Sequence, residues 1–435
     1  MTPTSTRPAP ATAAGPAGLP RLLPGYRPEA TVGLEEHVHQ HGRPPYGTAR
    51  RALVGAVEAS GLRGRGGAAF PTGRKMRTVA QHRGRAAVVV NGSEGEPLSA
   101  KDRLVLTCLP HLALDGAVLA AAAVGADEAI VAVDRGARRA LRAVQAAIDE
   151  RRRARLDPVP VRAVALPPRY VAGEESALVH FLNGGPAKPT FTPPRPFERG
   201  VDGRPTLIQN VETVANLALI ARYGPDWFRQ LGTVDEPGSM LLTVGGAVGR
   251  GSVCEVSLGT PLAAAVRAAG GSTREVAAFL VGGYYGTWLP AAHAWDVPLT
   301  NAALQARGAA LGTGVLYAFP AGCCGLVAAA RITEYLARET AGQCGPCVYG
   351  LRAVADAMAS VAGGRHVEAM VDRLHRLFDE VRGRGACHYP DGVVRFVASA
   401  LDTFQDEVDR HAARRRCLAS EPPPLPIPAF DGSWR

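Results

Sequence analysis

Apolar and polar residues alternate in a regular order over the first half of the chain. Short runs rich in apolar residues predict strands, at 86–90, 128–133 and 159–166. Stretches in which apolar residues recur at helical spacing predict helices, at 50–60, 112–124 and 137–153. Strands that alternate with helices indicate a parallel sheet with covering helices. Ligands of such sheets bind at the carboxyl ends of the strands.

The pattern changes near residue 237, where strands are no longer separated by long helices. Two paired strands, a helix and a third strand are predicted, at 239–245, 252–256, 260–269 and 279–281. This order is typical of a small β-grasp-like module. From residue 314 a strand leads into four helical segments, predicted at 326–338, 348–360, 367–381 and 392–411. Four antiparallel helices indicate a bundle.

Composition is that of an ordinary globular protein. The 435 residues suffice for two or three domains, and 46% hydrophobic with 20% charged residues is typical of a chain that buries a core. Residues 1–30 are rich in Pro, Ala and Thr, which predicts a disordered tail without a secretory signal. The longest apolar run, 116–124, is too short to span a bilayer. We expect a cytoplasmic protein without a membrane span.

The formal net charge is +10 because arginine is abundant. A positive surface suits an acidic protein partner or anionic ligands. Nucleic-acid binding is disfavoured, since aromatic residues make up only 6% of the chain and no recognition module is found.

One segment, 61–75, carries five glycines and four cations. Glycine lets the backbone approach a ligand closely, and successive N–H groups together with Arg or Lys form an anion site. Phe70 adds a flat ring. The segment therefore favours a loop that holds a phosphorylated, planar ligand; the alternative is a flexible Arg/Gly segment that binds nucleic acid through its charge. A helix is predicted before it, whereas the dinucleotide-binding fingerprint follows a strand.

Four acidic residues lie in loops that we expect near the same ligand: Glu94, Glu96, Glu174 and Glu175. Each is either a helix-start or solvated charge, or an acceptor for ribose hydroxyls or an amide. Taken singly, the first interpretation is favoured. Two further segments belong to this region. The segment 188–191 puts a cation and an aromatic ring in a Pro-rich loop, and 209–216 starts a helix with polar groups.

The cysteines favour metal or redox chemistry. Cys344-Gly-Pro-Cys347 lies at a predicted helix start, and Cys387 lies in the loop that returns to the same end of the bundle. Cys-x-x-Cys with a distant cysteine is typical of a [4Fe–4S] site. The alternatives are a redox dithiol, which needs a preceding strand, a zinc site with His388 as fourth ligand, and plain buried thiols. The pair Cys323-Cys324 either packs or supplies a missing ligand.

Together these segments resemble the NADH-binding flavoprotein subunit of respiratory complex I, and its relatives in NAD-linked hydrogenases and formate dehydrogenases. The resemblance runs from about residue 45 to 412. It implies an α/β plus α fold with three domains: a Rossmann-like domain for FMN and NADH over 31–236, a β-grasp domain over 237–308 and a four-helix iron–sulfur domain over 309–415. A flexible tail would follow over 416–435.

The resemblance also implies roles for individual residues. The FMN-binding positions would be Gly64, Arg65, Gly66, Gly67, Lys75, Asn91, Glu94, Tyr170, Gly173, Glu174 and Glu175, with Asn210, Thr213 and Asn216 at the flavin phosphate. The NADH-binding positions would be Phe70, Glu96, Lys188 and Phe191. The catalytic residues would be Glu94 and Glu175. Three of four ligands of a [4Fe–4S] cluster would be Cys344, Cys347 and Cys387.

Some positions depart from the family pattern. Ala341 stands where the first cluster cysteine belongs, Ala69 replaces a glycine, Gly92-Ser93 replaces Ala-Asp, and Thr78 replaces an aromatic residue. The missing ligand would be water, His388 or a sulfur of Cys323-Cys324; otherwise the cluster has three irons or is lost. We expect FMN binding to tolerate these changes better than NADH affinity does.

Two hypotheses follow from the resemblance. The first is an FMN-dependent NADH dehydrogenase that passes electrons through an iron–sulfur centre to a ferredoxin-like or [2Fe–2S] carrier protein, alone or within a larger redox complex. The second is a degenerate relative that serves as a docking or structural subunit and has lost a cluster ligand at Ala341.

Overall fold

The computed structural model describes residues 18–23, 30–82, 84–414, 419, 421–429 and 432–435. The first part of the chain folds around a sheet of four parallel strands in the order β3-β2-β1-β4. These strands are β1 Ala86–Gly92, β2 Ala126–Asp134, β3 Val161–Leu166 and β4 Thr206–Asn210. The accompanying helices are α1 Leu34–His41, α2 Arg50–Ser60, α3 Thr72–Ala80, α4 Lys101–Cys108, α5 Pro110–Val124, α6 Arg138–Arg153, α7 Glu175–Leu182, α8 Val211–Tyr223 and α9 Pro225–Arg229.

The sheet is buried on both faces, which explains the continuous apolar run of β1. Val88 and Val90 belong to the larger core, whereas Val89 belongs to a second core on the opposite face. Because strand side chains alternate between faces, both sets must be apolar when helices cover both sides. Helix α5 packs against β1, β2 and α8, and nearly all of its residues are buried. The parallel sheet predicted from the sequence is confirmed.

The second part is a five-stranded sheet in the order β6-β5-β9-β7-β8. Its elements are β5 Ser239–Gly246, β6 Ser252–Ser257, α10 Leu262–Ala268, β7 Val276–Val281, β8 Thr287–Pro290, α11 Asn301–Gln305 and β9 Val315–Pro320. Strand β9 pairs with β5 in parallel and with β7 antiparallel. The strand that we expected to open the helical domain is thus the central strand of this sheet. The sheet extends past residue 308, where we expected the β-grasp domain to end.

The third part is helical, and its described helices are α12 Gly325–Arg338, α13 Leu351–Ala362, α14 Val367–Val381, α15 Tyr389–Thr403 and α16 Gln405–Arg414. A π-helical turn over Pro346–Gly350 leads into α13. The predicted single helix at 392–411 is wrong, because the chain leaves helical geometry at Phe404 (φ −109°, ψ 31°). The Phe404 ring packs against Trp288 and Phe319, which turns the last helix onto the bundle.

Parts of both expected tails are packed. The backbone N–H groups of Arg21 and Leu22 donate to the Glu255 carboxylate at 2.7 and 2.8 Å, and Leu22 is fully buried. Residues 1–17 and 24–29, where disorder was also expected, lie outside the described residues. At the other end Leu425 is buried, and the Tyr317 hydroxyl donates to the carbonyl of Pro424 at 2.8 Å. The expectation of a flexible tail is therefore wrong for 421–429.

In the described part of the chain, no single helix is long and apolar enough to cross a membrane. Helices α4 and α5 are long and apolar enough only when taken together, and they meet at a bend of 97°. The expected cytoplasmic location stays a prediction.

Candidate active site

The glycine-rich segment forms a hairpin. The N–H of Gly64 donates to the carbonyl of Phe70, and the N–H of Thr72 donates to that of Leu62, both at 2.9 Å. The tip bends through Gly67, whose φ of +114° is a conformation that favours glycine. Helix α2 precedes the hairpin and α3 follows it directly. The prediction that a helix precedes these glycines is confirmed.

The hairpin tip lies against the carboxyl end of β4. A Cβ at Gly66 would be 3.2 Å from the Cβ of Asn210, and the N–H of Arg65 donates to the Thr213 hydroxyl at 2.9 Å. Asn210 is paired with Asn91 across the two neighbouring strands. Three predicted flavin segments therefore meet at one edge of the sheet, where parallel sheets bind their ligands.

The segment that begins at Tyr170 joins this edge. The Asn91 amide donates to the carbonyl of Gly173 at 2.7 Å. The Glu174 carboxylate caps helix α7 by accepting from the N–H groups of Ser176 and Ala177. Glu175 forms an ion pair with Lys75, so the first turn of α3 faces the start of α7. The geometry thus brings together the loop, strand and helix segments that sequence analysis grouped around FMN.

The side chain of Arg65 turns away from this edge. Its guanidinium is buried, donates to the carbonyl of Ser239 at 2.9 Å and lies 3.8 Å from the Glu212 carboxylate. It therefore joins the hairpin to the second sheet, and only its backbone faces the predicted flavin position. Asn216 is also buried and donates to the carbonyl of Glu212 in its own helix. The FMN roles of both residues stay predictions.

Sequence analysis missed a buried charge cluster beneath Asn210. Lys101 is 1% exposed, and its ammonium lies 2.7 Å from Asp102, 3.1 Å from Glu212 and 3.3 Å from the Asn210 side-chain oxygen. The Asn210 amide donates to Asp102 at 2.6 Å. Burial alone would lower the pKa of Lys101, but the two carboxylates outweigh it and the pKa is raised. The cluster fixes both ends of the Asn210 amide; its only signal in the sequence is a charged pair after the 91–97 loop.

Glu94 acts locally as a helix cap. Its carboxylate accepts from the Ser99 hydroxyl at 2.6 Å and from the N–H groups of Asp102 and Arg103 at 3.1 Å. Burial raises its pKa, and the neighbouring Asp102 carboxylate adds to this effect. Because both carboxylate oxygens are engaged at the start of α4, the geometry supports the helix-start interpretation of Glu94.

Glu96 lies where the three parts of the chain meet. Its carboxylate accepts from the Tyr170 hydroxyl and the Tyr284 N–H, both at 2.9 Å. Burial raises the pKa of Glu96 to about 7. A carboxyl with such a pKa changes charge in the neutral range, and its surroundings connect the first sheet to the second.

The residues predicted to bind the nucleotide are more exposed than those around Asn210. The exposed fraction is 46% for Phe70 and 81% for Phe191, and the Lys188 ammonium lies 4.9 Å from the ring centre of Trp434. Exposed aromatic rings suit stacking on a flat ligand. The roles of Phe70, Lys188 and Phe191 stay predictions.

The candidate cluster cysteines share one end of the bundle. The N–H of Cys347 donates to the carbonyl of Cys344 at 3.1 Å. Burial raises the pKa of Cys347, and the nearby Cys344 and Cys387 thiols raise it further. Ala341 is buried in the same hydrophobic cluster as these cysteines, and an alanine cannot ligate iron. In the part of the chain that the structure describes, no three His, Cys, Asp or Glu side chains are arranged to hold a metal ion.

Of the proposed substitutes for the missing ligand, neither His388 nor Cys324 completes the site. The His388 side chain is fully exposed and faces Asp391. Cys324 lies at the start of α12 and contacts Glu407 and His411, whereas the 344–347 turn follows the end of that helix. Fourteen helical residues separate these ends by about 20 Å. The residues present therefore do not fit a cluster held by four cysteines.

For FMN the residues do fit. A glycine tip, a side-chain amide fixed at both ends and a lysine in the first turn of α3 form a cradle at the strand ends, which is a suitable donor set for a phosphorylated ring. Fold and site together define a protein whose parallel-sheet domain is suited to bind a flavin nucleotide.

Comparison with known proteins agrees with a flavin site and adds the class, that of flavin-binding subunits of NADH-oxidising enzymes. Residues 57–219 match the Nuo51 FMN-binding domain, and residues 327–411 match the NADH-ubiquinone oxidoreductase-F iron–sulfur binding region. The F subunit of the NADH-quinone oxidoreductase of Streptomyces coelicolor is 32% identical over 378 residues, which are 84% of each chain. Its counterpart in Mycobacterium bovis is 34% identical over 384 residues, 84% of this chain and 85% of the relative. The chain belongs to the family of NADH-quinone oxidoreductase F subunits.

A solved structure supports the fold. An NAD+-reducing [NiFe]-hydrogenase in the H2-reduced state superposes with a TM-score of 0.79 at 31% identity. The match covers 88% of this chain and 65% of the hydrogenase chain, so the present chain spans about two thirds of its length. The predicted fold class, the FMN-binding domain and the NADH dehydrogenase type are confirmed.

Proposed function

We propose that this chain oxidises NADH at an FMN bound between the hairpin tip and the carboxyl ends of β1 and β4. The observation that carries this proposal is the meeting of Gly66, Asn91, Gly173 and Asn210 at one edge of the sheet. FMN, when bound, supplies the exchange between two-electron hydride transfer and one-electron transfer.

The protein's own residues would bind and orient the flavin and the nucleotide. Lys75 offers positive charge, and its ion pair with Glu175 holds the start of α3 against the start of α7. Lys101 and Asp102 fix the Asn210 amide in one orientation. Phe70 and Phe191 present exposed rings on which a nucleotide base can stack. None of these groups needs to transfer a proton.

We propose that the electrons leave to an acidic ferredoxin-like or [2Fe–2S] partner, within a larger redox complex. The relatives named above belong to NADH-quinone oxidoreductases, and the hydrogenase is NAD+-reducing. Directly after Cys347, Val348 and Tyr349 are 45% and 77% exposed, an unusual exposure for large apolar residues. Arg382 and Arg384 are exposed on the neighbouring turn, and a Cβ at Gly350 would meet Val381 at 2.6 Å. An apolar patch beside cations suits an acidic protein.

A second candidate is a subunit that docks without relaying electrons through a cluster. Ala341 and the incomplete ligand set described above favour it. The two candidates differ in one property, a reducible iron centre.

The test is to reconstitute the protein anaerobically with FMN, iron and sulfide and to follow flavin absorption after NADH addition. Loss of the visible flavin band with NADH supports the proposed oxidation; a flavin that never bleaches contradicts it. Iron analysis and electron paramagnetic resonance then separate the relay from the docking subunit, since only the relay has a reducible centre. Ala341→Cys should raise the iron content, whereas Ala329→Cys, a buried control within α12, should not.

A further inference from the structure

The loop that carries Lys188 is anchored to other parts of the chain. Between the end of α7 and the start of β4 it contains no regular strand or α-helix. Its anchors include the Thr190 N–H, which donates to the Ser176 hydroxyl at 3.0 Å, and the Lys188 carbonyl, which lies 3.2 Å from a ring nitrogen of His180. These two contacts tie one side of the loop to α7.

A third anchor comes from the far end of the sequence. The Ala187 N–H donates to the carbonyl of Trp434 at 2.9 Å. The Trp434 ring lies over two cations, with Arg169 4.2 Å and Lys188 4.9 Å from its centre. Arg169 is buried and paired with Glu339 at 3.2 Å. The indole ring therefore packs against the fixed guanidinium of Arg169 and also contacts the Lys188 ammonium.

The described residues 421–429, which precede Trp434 in the sequence, are anchored at several points. The carbonyls of Pro423 and Pro424 accept from Arg331 and the Tyr317 hydroxyl at 3.0 and 2.8 Å. Glu421 pairs with Arg274 at 2.6 Å, and Leu425 is buried. Proline restricts the backbone further. Residues 421–425 are thus anchored to the second sheet and the bundle, and Trp434 contacts the loop beside α7.

The loop borders the predicted nucleotide site. Ser176, which binds Thr190, lies next to Glu175, and Glu175 pairs with Lys75 of the hairpin side. A lysine ammonium on a four-carbon stem is mobile, and fixing it before a ligand arrives lowers the entropic cost of binding. A ring face that attracts the ammonium supplies such a restraint.

We propose that Trp434 is a positioning residue that holds Lys188 ready for the adenine end of a nicotinamide dinucleotide. This inference rests on the proposed function, because it requires a dinucleotide at this loop. It accounts for a cation–π contact and a backbone hydrogen bond that converge on two successive residues, Ala187 and Lys188.

The experiment measures NAD+ affinity by calorimetry on FMN-loaded protein, together with KM and kcat for NADH. Trp434→Ala should weaken NAD+ binding about five-fold and raise KM similarly, with kcat unchanged, as expected for loss of one cation–π contact. Trp434→Phe, which keeps a ring, should restore most of the affinity. Trp227→Ala is the matched control: its indole covers Arg21 at 4.1 Å, and its loss should leave NAD+ affinity unchanged.

A double variant measures the energetic coupling between Trp434 and Lys188. If Trp434 acts through the ammonium, Trp434→Ala should add no further loss in a Lys188→Met background. Unchanged or tighter NAD+ binding by Trp434→Ala overturns the inference, even when wild-type flavin bleaches with NADH and the proposed function stands. A loss that Trp434→Phe does not rescue also overturns it, because it indicates general loosening of the loop. Wild-type protein that neither bleaches nor binds NAD+ overturns both proposals.

Discussion

Replacing Lys101 by methionine tests the buried charge cluster that supports Asn210. Methionine has a similar length and packs in apolar surroundings. The change removes the cation that lies 2.7 Å from Asp102 and 3.1 Å from Glu212, and leaves both buried carboxylates without it. Breaking a buried ion pair in this way costs about 3–5 kcal/mol.

The remaining contacts place the expected loss at the lower end of that range. Asp102 keeps its hydrogen bond from Asn210 at 2.6 Å, and Arg65 remains 3.8 Å from Glu212. We expect Lys101→Met to lower the free energy of unfolding by about 3 kcal/mol, measured by urea denaturation. FMN retention should fall as well, because the Asn210 side-chain oxygen keeps only the Glu212 N–H and loses the Lys101 ammonium as a donor.

Arg103→Met is the matched control. It removes one positive charge two residues away, but Arg103 is exposed and its guanidinium contacts only the carbonyl of Ser99 in the hydrogen bonds described. The loss there should stay below about 1 kcal/mol. The penalty of Lys101→Met should also shrink as the pH falls, because burial raises the pKa of Glu212 and its carboxylate, now without Lys101, becomes protonated. Equal losses in the two variants, or a penalty independent of pH, would refute the reasoning.

Three further predictions concern strain and titration. Ala69 has a φ of +50°, so Ala69→Gly should raise the free energy of unfolding by about 1 kcal/mol in urea denaturation, whereas Ala68→Gly should not stabilise. Burial lowers the pKa of His41 to about 3 and of His111 to about 4. Their unfolded forms take up protons below about pH 6.5, so stability present above that pH should be lost as pH falls towards 4; a constant melting temperature over this range contradicts the assignment. Glu96 has a raised pKa of about 7, so its stabilising contribution is full below about pH 4.5 and lost as pH rises through 7. The Glu96→Gln variant should therefore gain in stability relative to wild type as the pH is raised from 5 to 8. Melting curves that show no such gain would contradict the raised pKa of Glu96.

Local patterns predicted the elements that are apolar throughout or strongly periodic. Helix α2 and helix α14 have the predicted bounds, and β1 contains the predicted run 86–90. In each, the identity of the residues decides the structure: a valine run for a doubly covered strand, or a regular apolar stripe for a packed helix. The short strand β4, with five residues between a turn and a helix, offered too little pattern to be found.

The remaining differences depend on contacts between distant residues. Strand β9 belongs to the second sheet because β5 and β7 lie on either side of it, which its own sequence does not state. Phe404 breaks the last helix because its ring packs against Trp288. The segment 421–429 looks like a Pro-rich tail until Tyr317 and Arg331 bind its carbonyls.

In the candidate site, too, local sequence predicted some features, whereas others depend on contacts between distant residues. Glycines and acids could be grouped by position after strands, but the orientation of a side chain could not. Arg65 turns towards Ser239, Glu94 caps α4, and Lys101 reaches Asn210 from beneath. Each of these results from burial of charge among residues far apart in sequence.

The central claim is that the cradle between the hairpin tip and the strand ends would hold FMN, at which NADH would be oxidised. The most direct test is an anaerobic NADH titration of the FMN-loaded wild type beside Gly66→Val, whose side chain would enter the space in which even a Cβ lies 3.2 Å from Asn210. The account predicts stoichiometric bleaching of the wild-type flavin, and a folded Gly66→Val protein that retains no FMN. A Gly66→Val protein that keeps its flavin and bleaches as the wild type does would contradict it.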